Sequence, residues 1–280
     1  MIKNIVFSGG GFKGLTYIGV IKALEEFNLL DSIENYCGTS IGSLFATFLY
    51  IGMTYTELYN LFIDFDFNKG ITFDLENIVT FFDNYGIDNG EKYINIVRKI
   101  ISDKLKIDFN KDITFIELYN IFEKKLIITG VCVNNYTCNY FDYINTPYMS
   151  IYKALQISSA LPMYFKPVEY NSNLYIDGAL SNNFPINLFI NDLENTIGFE
   201  IFMFKKNQKI DGFLDYFIKI CLCKYYSDID KNMTYNKYYI KLFIDDINII
   251  DINVTKEKRL KCINYGYSTS LKYIHTRYRL

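Results

Sequence analysis

The stretch Cys37-Gly38-Thr39-Ser40-Ile41-Gly42 constrains this chain more than any other. An apolar-leaning segment runs into it, and a helix-spaced apolar run, residues 40–51, leaves it. This is the layout of a nucleophile elbow, in which a strand ends, the backbone reverses, and one serine stands strained at the start of a helix. The spacing has a steric cause. Strand and helix nearly touch two residues before and two after the serine, and Gly38 and Gly42 are the smallest residues that can stand there. The helix start beneath Ser40 offers free N–H groups and a positive dipole end, which favour developing negative charge. A glycine-bearing turn into a helix is the bland reading of the same residues, so the case depends on the rest of the chain.

The order of elements around the elbow predicts the fold class. Residues 2–7 read as a buried strand, residues 8–14 as a glycine loop, and residues 15–27 as an amphipathic helix with Leu15, Ile18, Ile21, Leu24 and Phe27 on one face. A short strand at 33–37 then leads into the elbow. A βαβα run predicts an α/β domain whose central sheet is mostly parallel, with helices on both faces. Further along, the pattern predicts helices at 91–106, after the capping box Thr114-Phe115-Ile116-Glu117, and after Pro147. It also predicts a hairpin from 126–133 and 136–144, and two short strands around Asn171-Ser172-Asn173. The remainder reads as a strand at 197–204, a helix at 213–226, a strand at 238–244 and a closing helix at 255–275. Residues 67–90, irregular and aromatic, are the expected lid or substrate-facing insertion, with an ordinary surface connection as the plain alternative. No linker or repeat divides the chain, which is read as one domain over 1–280, with a motif-bearing core over about 1–205 and an α/β extension over about 206–280.

Two readings compete for Gly9-Gly10-Gly11-Phe12-Lys13-Gly14, which follows a strand and opens a helix. As G-x-G-x-x-G it fits a dinucleotide-binding turn. As a run of backbone N–H donors it fits an oxyanion hole. A dinucleotide site wants an acid at the end of the second strand to hold the ribose. Here that strand ends in Cys37-Gly38-Thr39-Ser40, so a nucleophile stands where the acid should be. Strand ends in a parallel sheet line one crevice, which puts the glycine loop and Ser40 on the same cavity and favours the oxyanion reading, with Gly10 and Gly11 as donors and Gly9 or Phe12 beside them.

The serine needs a base. His275, the only histidine, sits in Lys272-Tyr273-Ile274-His275-Thr276-Arg277, which reads as a basic helix end suited to the dipole rather than as a triad member. Asp177 ends a strand, with Gly178 and Ala179 turning the chain away beside it. A carboxylate is a weak base in water, but desolvation raises its pKa. Taken alone, Asp177 reads equally as a strand-end turn residue.

Taken together, these stretches resemble the patatin-like phospholipase family. Four blocks match in order: the loop from Gly9 to Gly14, the elbow from Gly38 to Gly42, Ser158-Ser159-Ala160-Leu161-Pro162 with Tyr164-Phe165-Lys166-Pro167-Val168, and Asp177-Gly178-Ala179 followed by Asn182-Asn183. One departure is Phe184, which puts Pro185 a place later than usual. The resemblance implies a three-layer α/β/α fold, a Ser40–Asp177 dyad without histidine, no metal or other cofactor, and hydrolysis of lipid acyl esters. Lys13 orients the glycine loop, meets a phosphate headgroup or is a plain solvated surface lysine, and Phe and Tyr residues near 62–82 and 141–164 are candidates to line an acyl tunnel or dock on a bilayer, with aromatic core as the plain reading for most of them. The alternatives are a nicotinamide-dependent oxidoreductase and a catalytically silent lipid-binding module.

Composition narrows the partners. A formal charge of −2 gives no case for nucleic acid or for strong attraction to anionic membranes. The six cysteines have neither disulfide-framework nor zinc spacing. No uninterrupted apolar run reaches the ~18 residues of a transmembrane span, and residues 1–8 read as a strand rather than a signal peptide. The expected setting is intracellular, with a membrane or micellar lipid as the substrate and contact to membranes only peripheral.

Overall fold

The computed structural model describes residues 1–70, 81–202, 209–210, 212–213, 215–217, 219–223, 233–245, 247 and 253–278. Its centre is an eight-stranded sheet. Five strands lie parallel, in the order β10 (Tyr239–Phe243), β9 (Thr196–Phe202), β1 (Asn4–Phe7), β2 (Asn35–Gly38), β4 (Lys125–Cys132). Beyond β4 the direction changes. β5 (Thr137–Phe141) and β8 (Asn173–Asp177) both pair antiparallel to β4, and β7 (Val168–Tyr170) pairs antiparallel to β8. The sheet is therefore mixed, with four parallel and three antiparallel pairings. A separate two-stranded sheet joins β3 (Gly86–Asp88) to β6 (Met163–Phe165).

The parallel half is buried on both faces, which is why β1 carries Ile5, Val6 and Phe7 in succession. Side chains alternate across it. Ile5 and Phe7 join the larger core, while Val6 joins Cys37, Ile127, Phe184 and Ile186 in a smaller one. The larger core is covered by α1 (Thr16–Glu26), α2 (Ile41–Tyr50), α3 (Tyr55–Ile63), α4 (Glu91–Leu105), α5 (Phe115–Phe122), α6 (Ile151–Ser158) and α7 (Lys256–Tyr278). Over the smaller core lies the 3₁₀ segment Pro185–Asn195, which carries the chain from the antiparallel edge back to β9.

Local rules explain most boundaries. Thr54 and Thr114 each close a capping box, with Glu57 and Glu117. The hairpin forms as β4 and β5, and Asn171 and Ser172 take the positive φ values of a tight turn between β7 and β8. Pro147 does not open a helix. α6 starts at Ile151 behind Ser150, because the Pro147 carbonyl accepts the Ile116 N–H and ties that stretch to α5. Of the expected lid, residues 71–80 lie outside the described residues, while 86–88 form β3. The apolar helix expected at 213–226 lies partly outside them too; residues 212–213, 215–217 and 219–223 are helical.

α7 closes the structure against α1. They cross at Gly19 and Gly266, where an added Cβ would run into the Ile263 and Thr16 carbonyls respectively. Backbones come this close only where side chains are missing.

Candidate active site

Ser40 stands between β2 and α2 with φ 54° and ψ −127°. A non-glycine residue held there carries strain of about 1–3 kcal/mol, and it persists only where the surroundings over-determine it. They do so here through contact. A Cβ on Gly38 would strike the Gly42 backbone, and one on Gly42 would strike the Phe7 and Ser8 carbonyls. Gly14 meets the same need in front of Ile41, letting the glycine loop approach α2. The serine's own amide donates to the hydroxyl of Ser158, 2.9 Å away and fully buried at the end of α6. Ser158 stood inside a recognised block but nothing in its sequence context assigned it this bond. Below, Thr129 donates to Thr39 at 2.6 Å, and Thr39 donates to the Asn182 carbonyl at 3.0 Å, stitching the elbow to β4 and to the turn after Asp177.

Asp177 arrives from the antiparallel side. It closes β8, opposite Gly130 of β4. Its backbone N–H donates to the Ala160 carbonyl at 2.9 Å. One carboxylate oxygen accepts the Ser40 hydroxyl at 2.7 Å, across 137 positions of sequence, and the other accepts the Ala179 N–H at 2.8 Å. Gly178 sits flush against Thr129, where a side chain would collide. Asp177 is only 3% exposed, and burial pushes its pKa up to about 7, against the lowering effect of the Ala179 and Ser40 bonds.

The glycine loop faces the same cavity. Gly11 has φ 55°, which favours glycine, and Gly10 is packed against Ile201 so closely that a Cβ would clash. Among the described residues nothing accepts from the amides of Gly10, Gly11 or Phe12, and all three residues line the cavity with Ser40. Gly9 departs from the expectation. Its N–H donates to the Asn183 carbonyl at 3.1 Å, so that amide is spent in anchoring the loop. Lys13 fits the first of its expected roles. It is buried, and its ammonium donates to the Ile244 carbonyl at 2.6 Å, just past β10, so it secures the loop from behind.

The cavity holds about 260 Å³ and is walled mostly by aromatic and aliphatic side chains, among them Phe45, Phe62, Phe65, Phe67, Ile96 and Tyr164. Tyr93 and Ser159 add a hydroxyl pair, 3.0 Å apart, beside Asp177. The aromatic residues expected to line a tunnel divide. Phe62, Phe65, Phe67 and Tyr164 do so, whereas Tyr143 stacks on Tyr119 and Tyr152 is packed into the core. His275 is exposed on α7 with its ring edge-on to Phe27, and it does not line the cavity.

Fold and site together define an α/β domain in which a strained elbow serine meets a buried carboxylate at the floor of an apolar cavity. The model of the family described as "Patatin-like phospholipase" matches residues 5–190, and the chain belongs to that family. Membership places it among lipid hydrolases. An uncharacterized protein of Acanthamoeba polyphaga mimivirus is 30% identical over 272 residues, covering 92% of this chain and 89% of that one. A protein of Invertebrate iridescent virus 6 named "Probable lipid hydrolase" is 30% identical over 190 residues, 67% of this chain and 63% of its own. Among solved structures, VipD from Legionella pneumophila superposes with a TM-score of 0.67 at 16% identity, over 99% of this chain and 67% of that one. The type III effector ExoU gives 0.58 at 14% identity, over 99% of this chain and 53% of its own, so this chain spans about half of ExoU. At such identities these two likenesses concern the fold alone.

Proposed function

We propose that this protein is a phospholipase A-type acyl hydrolase in which Ser40 is the nucleophile and Asp177 the proton acceptor. The observation that carries the reading is the 2.7 Å hydrogen bond from the Ser40 hydroxyl to the Asp177 carboxylate. Asp177 takes the hydroxyl proton as Ser40 Oγ attacks the ester carbonyl. The amides of Gly10, Gly11 and Phe12 receive the oxyanion, and each such donor typically lowers the barrier by roughly 2.7–4 kcal/mol. As the tetrahedral centre collapses, Asp177 returns the proton to the departing alcohol or lysophospholipid, leaving an acyl ester on Ser40. A water molecule then gives its proton to Asp177 and attacks that ester, and the fatty acid leaves as the proton passes back to Ser40. A base whose pKa is raised to about 7 suits this cycle, since it can both take and return a proton near neutrality.

The lipid is drawn from a membrane or micelle, with its acyl chain in the aromatic cavity. No helix among the described residues is long and apolar enough to cross a membrane. Residues of about 1–205 form the motif-bearing core of the domain and those of about 206–280 its extension. A nicotinamide-dependent reading has no carboxylate at the end of β2 to hold a ribose.

The test combines labelling by an alkyl fluorophosphonate with mass analysis of fatty acids released from mixed phospholipids. Ser40→Ala should abolish labelling, and Asp177→Asn should cut turnover by about 10³-fold or more, as removal of the acid of a catalytic triad does. Wild-type turnover in either variant would sink the mechanism. A wild-type protein that binds the lipids but neither labels nor releases fatty acid would be a silent binding module.

A further inference from the structure

Arg259 is almost fully buried, 8% exposed, in the first turn of α7. A buried cation needs partners, and this one takes them from the wall of the acyl cavity. Its Nη1 is placed against three carbonyl oxygens, Phe62 at 2.9 Å, Ile63 at 3.2 Å and Phe65 at 2.7 Å. Nε donates to the Val254 carbonyl at 2.8 Å. The Phe62 and Ile63 carbonyls belong to the end of α3, where the last turn has no helical donors left and a positive charge meets the negative end of the dipole. The guanidinium also lies over the Phe67 ring, 4.5 Å from its centre. Phe67 in turn sets its ring edge-to-face on Phe12 of the glycine loop, 5.0 Å away.

Phe62, Phe65 and Phe67 all line the cavity, and Arg259 does not. One side chain thus holds the backbone at Phe62, Ile63 and Phe65 and the ring of Phe67 from behind. Lys13 makes a comparable bond from the glycine loop to Ile244, so the C-terminal part of the chain grips both the wall and the loop. Arg259 and the Ile244 carbonyl both lie beyond the 5–190 stretch that matches the family.

Building on the acyl-hydrolase reading, we propose that Arg259 is a specificity-determining residue for that reaction: by holding residues 62–67 it sets the depth and shape of the acyl site, and with them the preference for long chains. It touches neither substrate nor Ser40, so it is a positioning residue. A planar fork that serves several carbonyls and stacks on a ring cannot be copied by an ammonium. Arg259→Lys should therefore loosen the wall while keeping the charge.

The experiment measures hydrolysis of p-nitrophenyl butyrate and p-nitrophenyl palmitate by the full chain, wild type and Arg259→Lys, beside fluorophosphonate labelling and thermal melting. A butyryl group fills only the part of the cavity next to Ser40, whereas a palmitoyl chain must lie against the wall. We expect KM for palmitate to rise about tenfold or more, with kcat/KM for butyrate and the labelling rate within about threefold of wild type, a range typical of altered apolar pockets. Equal losses on both esters, or no change on either, would overturn the proposal, since a purely structural arginine does not discriminate by chain length. Should Arg259→Lys fail to fold, Arg259→Gln, which keeps a planar donor but loses the fork and the charge, is assayed instead. A fallen palmitate-to-butyrate ratio there supports the proposal and an unchanged ratio defeats it. Failure of the wild type to label or to cleave either ester would defeat the hydrolase reading itself, an outcome separable from any behaviour of the variants.

Discussion

Ser40 and Asp177 meet at one point but are held there by two different constructions. Ser40 comes off the parallel half of the sheet and is positioned by absence: Gly38, Gly42 and Gly14 leave room for a strained turn that any side chain would block. Asp177 comes off the antiparallel half and is positioned by bonds, through its own N–H to Ala160 and through its carboxylate to Ala179. The first is a steric device, which fails abruptly when filled. The second is a polar device, whose cost is the burial of a carboxyl group. A parallel strand points the elbow at the crevice, and the reversal of direction beyond β4 delivers an acid to the same crevice from the opposite side.

The steric arm should show the largest effect. In Gly42→Ala the new methyl meets the Phe7 and Ser8 carbonyls, which are backbone of β1 and the loop after it and cannot swing aside. Overpacking of this kind costs about 1–3 kcal/mol, and more where the obstacle is backbone, equivalent to a melting-temperature loss of at least roughly 2–5 °C in a domain of this size. Fluorophosphonate labelling should vanish with it, because the turn that presents Ser40 cannot form. A folded and reactive Gly42→Ala protein would mean that the elbow tolerates a looser contact than the structure describes.

The polar arm should respond in the opposite sense. Burial raises the Asp177 pKa from 3.8 to about 7, so the folded state holds this proton more tightly than the unfolded state does. Below about pH 4 both states are protonated and the group is neutral in its effect. Between about pH 4 and 7 the unfolded chain ionises while the folded one does not, so stability falls as pH rises. Above about pH 7 the penalty is complete, of the order of a few kcal/mol. Asp177→Asn has nothing to ionise. Urea melts should find it more stable than wild type at pH 8 and about equal at pH 4, with activity lost throughout. Wild-type turnover should climb through an apparent pKa near 7 as the base ionises. A variant less stable than wild type at pH 8 would show that the carboxylate's bonds outweigh its desolvation.

The same contrast explains what could be read from the sequence. The steric arm is legible because glycines at fixed offsets record a close approach directly; residues of the loop, the elbow serine, Asp177 and Ala179 line one cavity. Bonds to backbone leave no such record. Nothing in the order of residues shows that Gly9 gives its amide to Asn183, that Lys13 reaches Ile244, or that Ser158 holds the Ser40 amide. Arg259 leaves no sign in the sequence for the same reason: its partners are carbonyls, which every residue has. The mixed character of the sheet was hidden too, since β8 carries the alternating pattern of a half-buried strand in either direction. Pro147 carries the composition of a helix start, but its carbonyl is committed to α5, and no sequence pattern records that bond.

The smallest effect tests whether the polar arm needs a third member. A triad would place an imidazole between serine and carboxylate, but here the serine hydroxyl bonds the carboxylate directly at 2.7 Å, leaving no room for a ring between them. His275 is exposed on the last turns of α7, edge-on to Phe27 at the end of α1, 5.2 Å between ring centres. Its removal takes away the ring contact to Phe27, worth about 0.5–1.5 kcal/mol, and no group that lines the cavity. His275→Ala should therefore keep ester turnover within about twofold, with the same pH profile, while melting a few degrees lower. A drop of several hundredfold in a folded His275→Ala protein would transfer the base from Asp177 to the histidine, and with it the pH limb near 7 would lose its assignment to the buried carboxylate.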